Sequence, residues 1–175
     1  TSRRRIAEIL DSVYLMDPRC IGVDLDFSAP QERYTDSILS ATISRIKDKV
    51  VFVNQLYGYD DVLGAFTRIH HSYFSGAQSD YFPVANLYEG FANLINNGTS
   101  ETVSKYSVAE RFNDSICLSL PAKMIGDESV VDLREHYISY YPTVFDVVRH
   151  DGITRENIAG NFVLVGAVEH SGDKY

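Results

Sequence analysis

The chain has 175 residues, 45% of them hydrophobic and 23% charged, with a formal net charge of −8. That length fits one domain built around one core, and no run approaches the roughly 20 consecutive apolar residues of a membrane span. The acidic balance excludes generic binding to a phosphate backbone, which needs clustered Lys and Arg, so no nucleic acid partner is expected.

Ile6, Ile9, Leu10, Val13 and Tyr14 recur at helical spacing and predict a helix from about Arg3 to Met16, ended by Asp17-Pro18. Arg3-Arg4-Arg5 at its start reads as a solvated end without a function. Cys20 to Leu25 is an apolar run broken by Ser28-Ala29-Pro30, the pattern of a buried strand. A second helix is expected from about Thr35 to Lys47, with Ile38, Leu39, Thr42, Ile43 and Ile46 on one face, and a second buried strand at Val50 to Val53. Strand, helix and strand in this order form a βαβ unit, which implies parallel pairing through a right-handed crossover.

From Asn54 to Pro83 the chain carries Gly58, Asp60-Asp61, Gly64, Gly76 and many aromatics, and irregular connections with short elements are expected there. Asn97-Gly98 signals a hairpin turn, and Thr102 to Tyr106 alternates like a half-buried strand. Ile116, Leu120 and Met124, four residues apart, predict a helix from Phe112 to Ile125 that kinks or restarts at Pro121. Tyr137 to Tyr140 reads as a strand, Thr143 to Arg149 as a short helix, and Phe162 to Val165 as the last buried strand, ended by Gly166. The expected fold is a single α/β domain, a mixed and largely parallel sheet flanked by helices, with an irregular middle segment.

The candidate chemistry starts at Asp24 and Asp26, two carboxylates one residue apart at the end of an apolar strand. This D-x-D arrangement is similar to that of haloacid-dehalogenase-type phosphatases, where the first carboxylate attacks phosphorus, the second handles the leaving-group proton and magnesium is held by oxygen ligands. That chemistry also needs a hydroxyl at the end of a second strand, a lysine, and an acidic pair at a third strand end. Here the second strand ends in Asn54-Gln55, and the last ends in Gly166-Ala167-Val168-Glu169, with Asp173 farther on. The set is incomplete, so Asp24 and Asp26 read as turn caps or ligand contacts, and no catalytic residue is assigned.

His70-His71 has no third ligand spaced to join it and reads as a surface-loop pair; no metal and no cofactor are expected. Cys20 and Cys117 lack CxxC spacing and read as small buried hydrophobes, with a single long-range disulfide left open. No apolar leader segment follows Thr1-Ser2-Arg3, and the chain breaks off at Tyr175, as expected of a piece of a longer protein.

Several segments in order carry a family resemblance. They are Arg5-Ile6-Ala7-Glu8-Ile9-Leu10 leading into Ile21-Gly22-Val23-Asp24-Leu25-Asp26-Phe27, then Gly90-Phe91-Ala92-Asn93, then Ser115 to Ala122 as a following helix, then Ile138-Ser139-Tyr140 before a Val144-Phe145-Asp146-Val147 helix. Last comes Ile158-Ala159-Gly160-Asn161-Phe162-Val163-Leu164-Val165-Gly166-Ala167, closed by Gly172-Asp173. Over nearly its whole length the chain resembles the type-two CHASE domain, the cyclase- and histidine-kinase-associated extracellular sensory module of bacterial transmembrane receptors.

The resemblance implies a sensor on the periplasmic or extracellular side, held to the membrane by flanking transmembrane helices and signalling to an output module inside the cell. It also implies an unidentified small ligand or envelope signal as partner, no enzymatic activity, and room for a homodimer. Topology supplies the candidate ligand contacts independently, because α/β sheets bind ligands beyond the carboxyl ends of their parallel strands. Asp24, Asp26, Asn54, Glu169 and Asp173 are expected to converge there. The alternatives are the magnesium-dependent phosphatase and a structural or dimerisation module of the envelope.

Overall fold

Ser2 begins the fold by capping a helix: its hydroxyl accepts a hydrogen bond from the Arg5 backbone N–H at 3.3 Å. The computed structural model describes residues 2–76, 82–92, 94–95, 105–127, 129, 131–137 and 152–166. In chain order the elements are α1 (Arg3–Leu15), β1 (Cys20–Asp24), α2 (Arg33–Ile46), β2 (Val50–Asp60), β3 (Ala65–His70), β4 (Tyr88–Phe91) and β5 (Leu94–Ile95). There follow β6 (Lys105–Ser107), β7 (Ala109–Phe112), β8 (Ser115–Leu118), α3 (Leu120–Ile125), β9 (Glu135–Tyr137), α4 (Arg155–Ile158) and β10 (Phe162–Gly166).

The expected βαβ unit is present. β1 and β2 pair in parallel, with Ile21 opposite Val50 and Val23 opposite Phe52. β10 lies parallel on the other side of β1, from Cys20 opposite Phe162 to Asp24 opposite Gly166, and β4 lies parallel against β2. β10 is not the buried strand expected: Phe162 and Leu164 are exposed on one face, and only Val163 and Val165 on the other pack against the core. The strand order through this part is β10-β1-β2-β4. The strands flanking β1 are therefore the next one and the last one in the chain, so the crossover from β1 runs one way and β10 lies on the other. That is a topological switch point.

α1 and α2 cover one face. Leu10, Val13, Ile21, Val23, Leu39, Ile43, Ile46 and Phe52 form its buried core. The other face carries Cys20, Val51 and Leu120 with Met124 of α3. α3 approaches so closely that a Cβ on Gly90 would stand 2.7 Å from the Leu120 Cα and 2.8 Å from its backbone nitrogen. Only glycine fits there.

Three further expectations are corrected. The first part of the stretch after Asn54 is not irregular: β2 runs on to Asp60 and pairs antiparallel with β3, from Gln55 opposite His70 to Asp60 opposite Ala65, while the described residues from His71 to Pro83 form no helix or strand, as expected. Its turn is closed by the Asp60 Oδ1, which accepts from the backbone N–H groups of Val62 and Leu63 at 2.9 and 3.0 Å. The second half of β2 leaves the core, and Tyr57 and Tyr59 are exposed, so the apolar signature of a strand is lost while the backbone pairing continues.

The helix expected over Phe112 to Ile125 is instead the β7–β8 hairpin followed by α3. Asn113, at φ 48°, makes the turn, and Arg111 faces Ile116. Ser119 caps α3 by accepting from the Ala122 N–H at 3.4 Å, and Pro121 sits in the first helical turn, where its missing N–H costs nothing. The four-residue spacing of Ile116, Leu120 and Met124 straddles two elements.

The third correction concerns Arg3, which is buried rather than solvated. Its guanidinium donates to the Ala29 carbonyl, lies 3.1 Å from Asp36, and faces the rings of Phe27, Tyr73 and Phe74 at 5.3, 5.7 and 5.0 Å. Arg4 and Arg5 alone form the exposed end, paired with Glu8 at 3.2 and 3.0 Å.

Leu94 and Ile95 pair antiparallel with Tyr106 and Lys105, while 96–104, with the turn expected at Asn97-Gly98, lies outside the described residues. β9 pairs with β6 and ends at Tyr137, so 138–140 and the helix expected over Thr143–Arg149 also lie outside them. Cys20 is buried under α3, Cys117 is half-buried in β8, and both are free thiols. Among the described residues no helix is long and apolar enough to cross a membrane.

Candidate functional site

Asp24 is the last residue of β1, exposed at the strand's carboxyl end and opposite Gly166 of β10. Beyond it the chain keeps the alternation of an extended backbone: Leu25 half-buried, Asp26 exposed, Phe27 buried. Phe27 anchors the segment, with its ring 5.6 Å from that of Phe52 and 5.7 Å from that of Phe74, and its carbonyl accepting from the Tyr73 N–H at 2.7 Å. Asp26 folds back to accept from the Ser28 N–H at 2.8 Å, closing a short turn. The two carboxylates are thus carried on a segment whose intervening apolar residues are pinned to the core.

β2 supplies the opposite wall. Asn54 faces Phe91 of β4 in register and is 6% exposed, yet its side-chain Oδ1 has no hydrogen-bond partner among the described residues. A buried acceptor in that condition carries a desolvation penalty of about 1–3 kcal/mol. Asp24 likewise makes no hydrogen bond or ion pair within the described residues.

The third wall is the end of β3. His71 Nδ1 lies 2.6 Å from Glu89 Oε2 of β4, and Glu89 Oε1 accepts from the Ser72 N–H at 2.7 Å. The hydrogen bond to Glu89 raises the pKa of His71 above its ordinary value, burial works against it, and the negative charge of Glu89 adds to the rise. Glu89 also fixes the ring: with Nδ1 engaged, Nε2 is the nitrogen left over.

Together these residues enclose a cavity of about 190 Å³, lined by Asp24, Asp26, Asn54, His70 and His71 among others, and by no Lys or Arg. At roughly 30 Å³ per water it holds about six, the volume of a small ligand. Asp24, Asp26 and Asn54 are all among its lining residues, and Gly166 lies beside Asp24. Glu169 and Asp173 lie outside the described residues.

His71 and Glu89 are site residues that the sequence did not disclose. The His-His pair is visible, but its partner comes 18 residues later on a strand known only from its pairing with β2. Among the described residues no group of three His, Cys, Asp or Glu side chains is arranged to hold a metal ion.

Comparison with protein-family models, curated proteins and solved structures gives no match. What the site does therefore rests on its own geometry.

A second cavity of about 540 Å³ lies on the α3 side of the sheet, lined by Phe91, Tyr106, Leu120, Met124, Ile125 and Leu164, with Asp24 among its lining residues as well. Its lining is almost wholly apolar. Apolar walls retain a ligand but do not orient it; the directional groups are in the smaller cavity.

Proposed function

We propose that the chain is the ligand-sensing domain of a bacterial transmembrane receptor, placed outside the cytoplasmic membrane and signalling to an output module inside the cell, as its resemblance to the type-two CHASE domain implies. The observation that carries this reading is the meeting of Asp24, Asp26 and Asn54 in one cavity at the carboxyl ends of parallel β1 and β2. This is where sheets of this kind take their ligands. Binding there acts by favouring one of two receptor states and needs no chemical step.

The phosphatase reading draws support from Asp24, free and exposed at a strand end beside Asp26. Against it, the neighbouring strand brings an amide, Asn54, and neither a hydroxyl nor a lysine comes from β2 to act on a phosphoryl group.

The test is a thermal-shift screen of the purified domain against a metabolite library, followed by Asp24→Asn. A ligand present at 100 times its Kd stabilises by about 2.7 kcal/mol, or roughly 5–11 °C for a chain of this size. A hit that Asp24→Asn abolishes supports the sensor. Magnesium-dependent hydrolysis of an aryl phosphate that Asp24→Asn abolishes overturns it in favour of the phosphatase, and constitutive dimerisation with no hit favours a structural module.

A further inference from the structure

We propose that the cavity of about 540 Å³ on the α3 side of the sheet is a second binding site, one that takes a neutral, largely apolar small molecule. The proposal does not rest on the sensor reading. Among the described residues this cavity shares only Asp24 and Ala92 with the smaller one.

Its volume lies within the range of small-molecule sites and is room for about eighteen waters. Water held there finds few partners. The polar side chains among the described lining are Asp24, Tyr106, Ser107, Ser119 and Asp127. Ser119 is engaged as the cap of α3, Asp127 accepts from the N–H and the hydroxyl of Ser129, and the Ser107 hydroxyl is buried. The lining also includes two large apolar side chains left wet, Ile125 at 56% and Leu164 at 62% exposed. An apolar occupant releases the poorly bonded water and covers both, which is the hydrophobic driving force for binding.

Size and charge set the class of occupant. Fourteen described residues line the cavity, against the roughly 20–30 that a protein partner covers, so the occupant is a small molecule. No Lys, Arg or His is among them, and the two charged side chains are carboxylates, so an anionic amphiphile meets only like charge. A cation has to shed its hydration against apolar walls, while Asp24 and Asp127, both exposed, attract it only through water. A neutral molecule avoids both costs. Met124 supplies a flexible thioether that adapts to the outline of rings or chains.

The experiment uses N-phenyl-1-naphthylamine, a neutral compound whose fluorescence rises in apolar surroundings, held at micromolar concentration and titrated with the purified chain. The competitors are 1-naphthol, naphthalene-1-sulfonate and (1-naphthylmethyl)trimethylammonium, which share one ring system and differ in charge. Saturable binding with a Kd below about 1 mM is expected, the scale that ligand efficiencies give for molecules of this size. 1-Naphthol should displace the probe at least about tenfold better than either charged compound. Leu164→Asp and Ile125→Asp, at exposed positions and checked for folding by Tm, should each weaken probe binding at least about tenfold. Leu15→Asp, at a more exposed position outside the cavity, should leave it unchanged.

The absence of saturable binding overturns the proposal, as does a charged competitor that matches 1-naphthol. So does an affinity unchanged in both cavity variants, or lowered equally by Leu15→Asp. A dimer that Leu164→Asp dissociates, without probe binding, makes the cavity a contact between copies and overturns the small-molecule site.

Discussion

Arg3 and Asp36 meet at 3.1 Å with each side chain 2% exposed, an ion pair sealed between the first turns of two helices. The contact is too bent to be a hydrogen bond, so it is held by charge, while the Asp36 Oδ2 accepts from the Gln31 N–H at 2.9 Å and another guanidinium nitrogen donates to Ala29. Removing one partner leaves the other charge buried. Arg3→Ala should cost about 3–5 kcal/mol in urea unfolding, whereas replacing both residues by apolar ones of similar size should cost far less. A loss below 1 kcal/mol for the single variant would show that water reaches Asp36.

Two glycines should respond differently to the same added methyl. In Gly90→Ala the new carbon meets the backbone of Leu120 and Ser119 at 2.7–2.9 Å, and the backbone of α3 has to move. In Gly22→Ala it meets the Met124 sulfur at 2.4 Å and the Leu164 Cδ1 at 3.1 Å, and the flexible thioether can swing aside. Gly90→Ala should cost about 1–3 kcal/mol and Gly22→Ala less, with Met124→Ala partly rescuing the second and not the first. Equal losses in the two variants would refute the distinction.

His71 should give the domain a pH-dependent stability. Its pKa in the folded state is raised above the ordinary 6.5, so the folded protein binds the proton more tightly than the unfolded chain does. The resulting stabilisation is fully present below about 6.5 and is lost as pH rises through the folded value. Tm should therefore fall as pH rises above about 6.5, and Glu89→Gln should flatten that slope. A slope unchanged in Glu89→Gln would place its source elsewhere.

Phe27 connects packing to the site. Its ring is buried against Phe52 and Phe74, and Phe27→Ala should cost about 3–5 kcal/mol. Because the same residue pins the segment that carries Asp26, affinity for a ligand found in the metabolite screen should drop as well under conditions where the variant remains folded. Retained affinity would mean that Asp24 and Asn54 suffice.

The parts of this fold legible in the sequence are those whose signal is local. The α1 stripe, the apolar β1 run and the α2 face each declare themselves within fifteen residues or fewer, because burial on one or both sides imposes a period on the chain, whereas the apolar β10 run shows a strand but not that Phe162 and Leu164 are exposed. Asp24 and Asn54 could be placed together because parallel pairing brings strand ends to the same edge of a sheet. The distal half of β2 was not legible: exposed Tyr57 and Tyr59 remove the apolar run, and pairing with β3 is a backbone property. Arg3 looked like surface because a charged triplet does not reveal which of its members turns inward, and here that choice depends on Asp36, thirty-three residues away. His71 and Glu89 failed for the same reason, since their contact exists only after β4 has joined β2.

The position of β10 also sets a timetable. β1 is paired on one side by β2 soon after it in the chain, but Cys20 faces Phe162 on the other, 142 residues later (162 − 20). At about 5–20 residues per second, a ribosome needs roughly 7–28 s to make the strand that covers that edge. For that interval the apolar central strand of the nascent domain has one edge unpaired, open to other strand edges, and refolding in vitro is expected to be slow and sensitive to protein concentration.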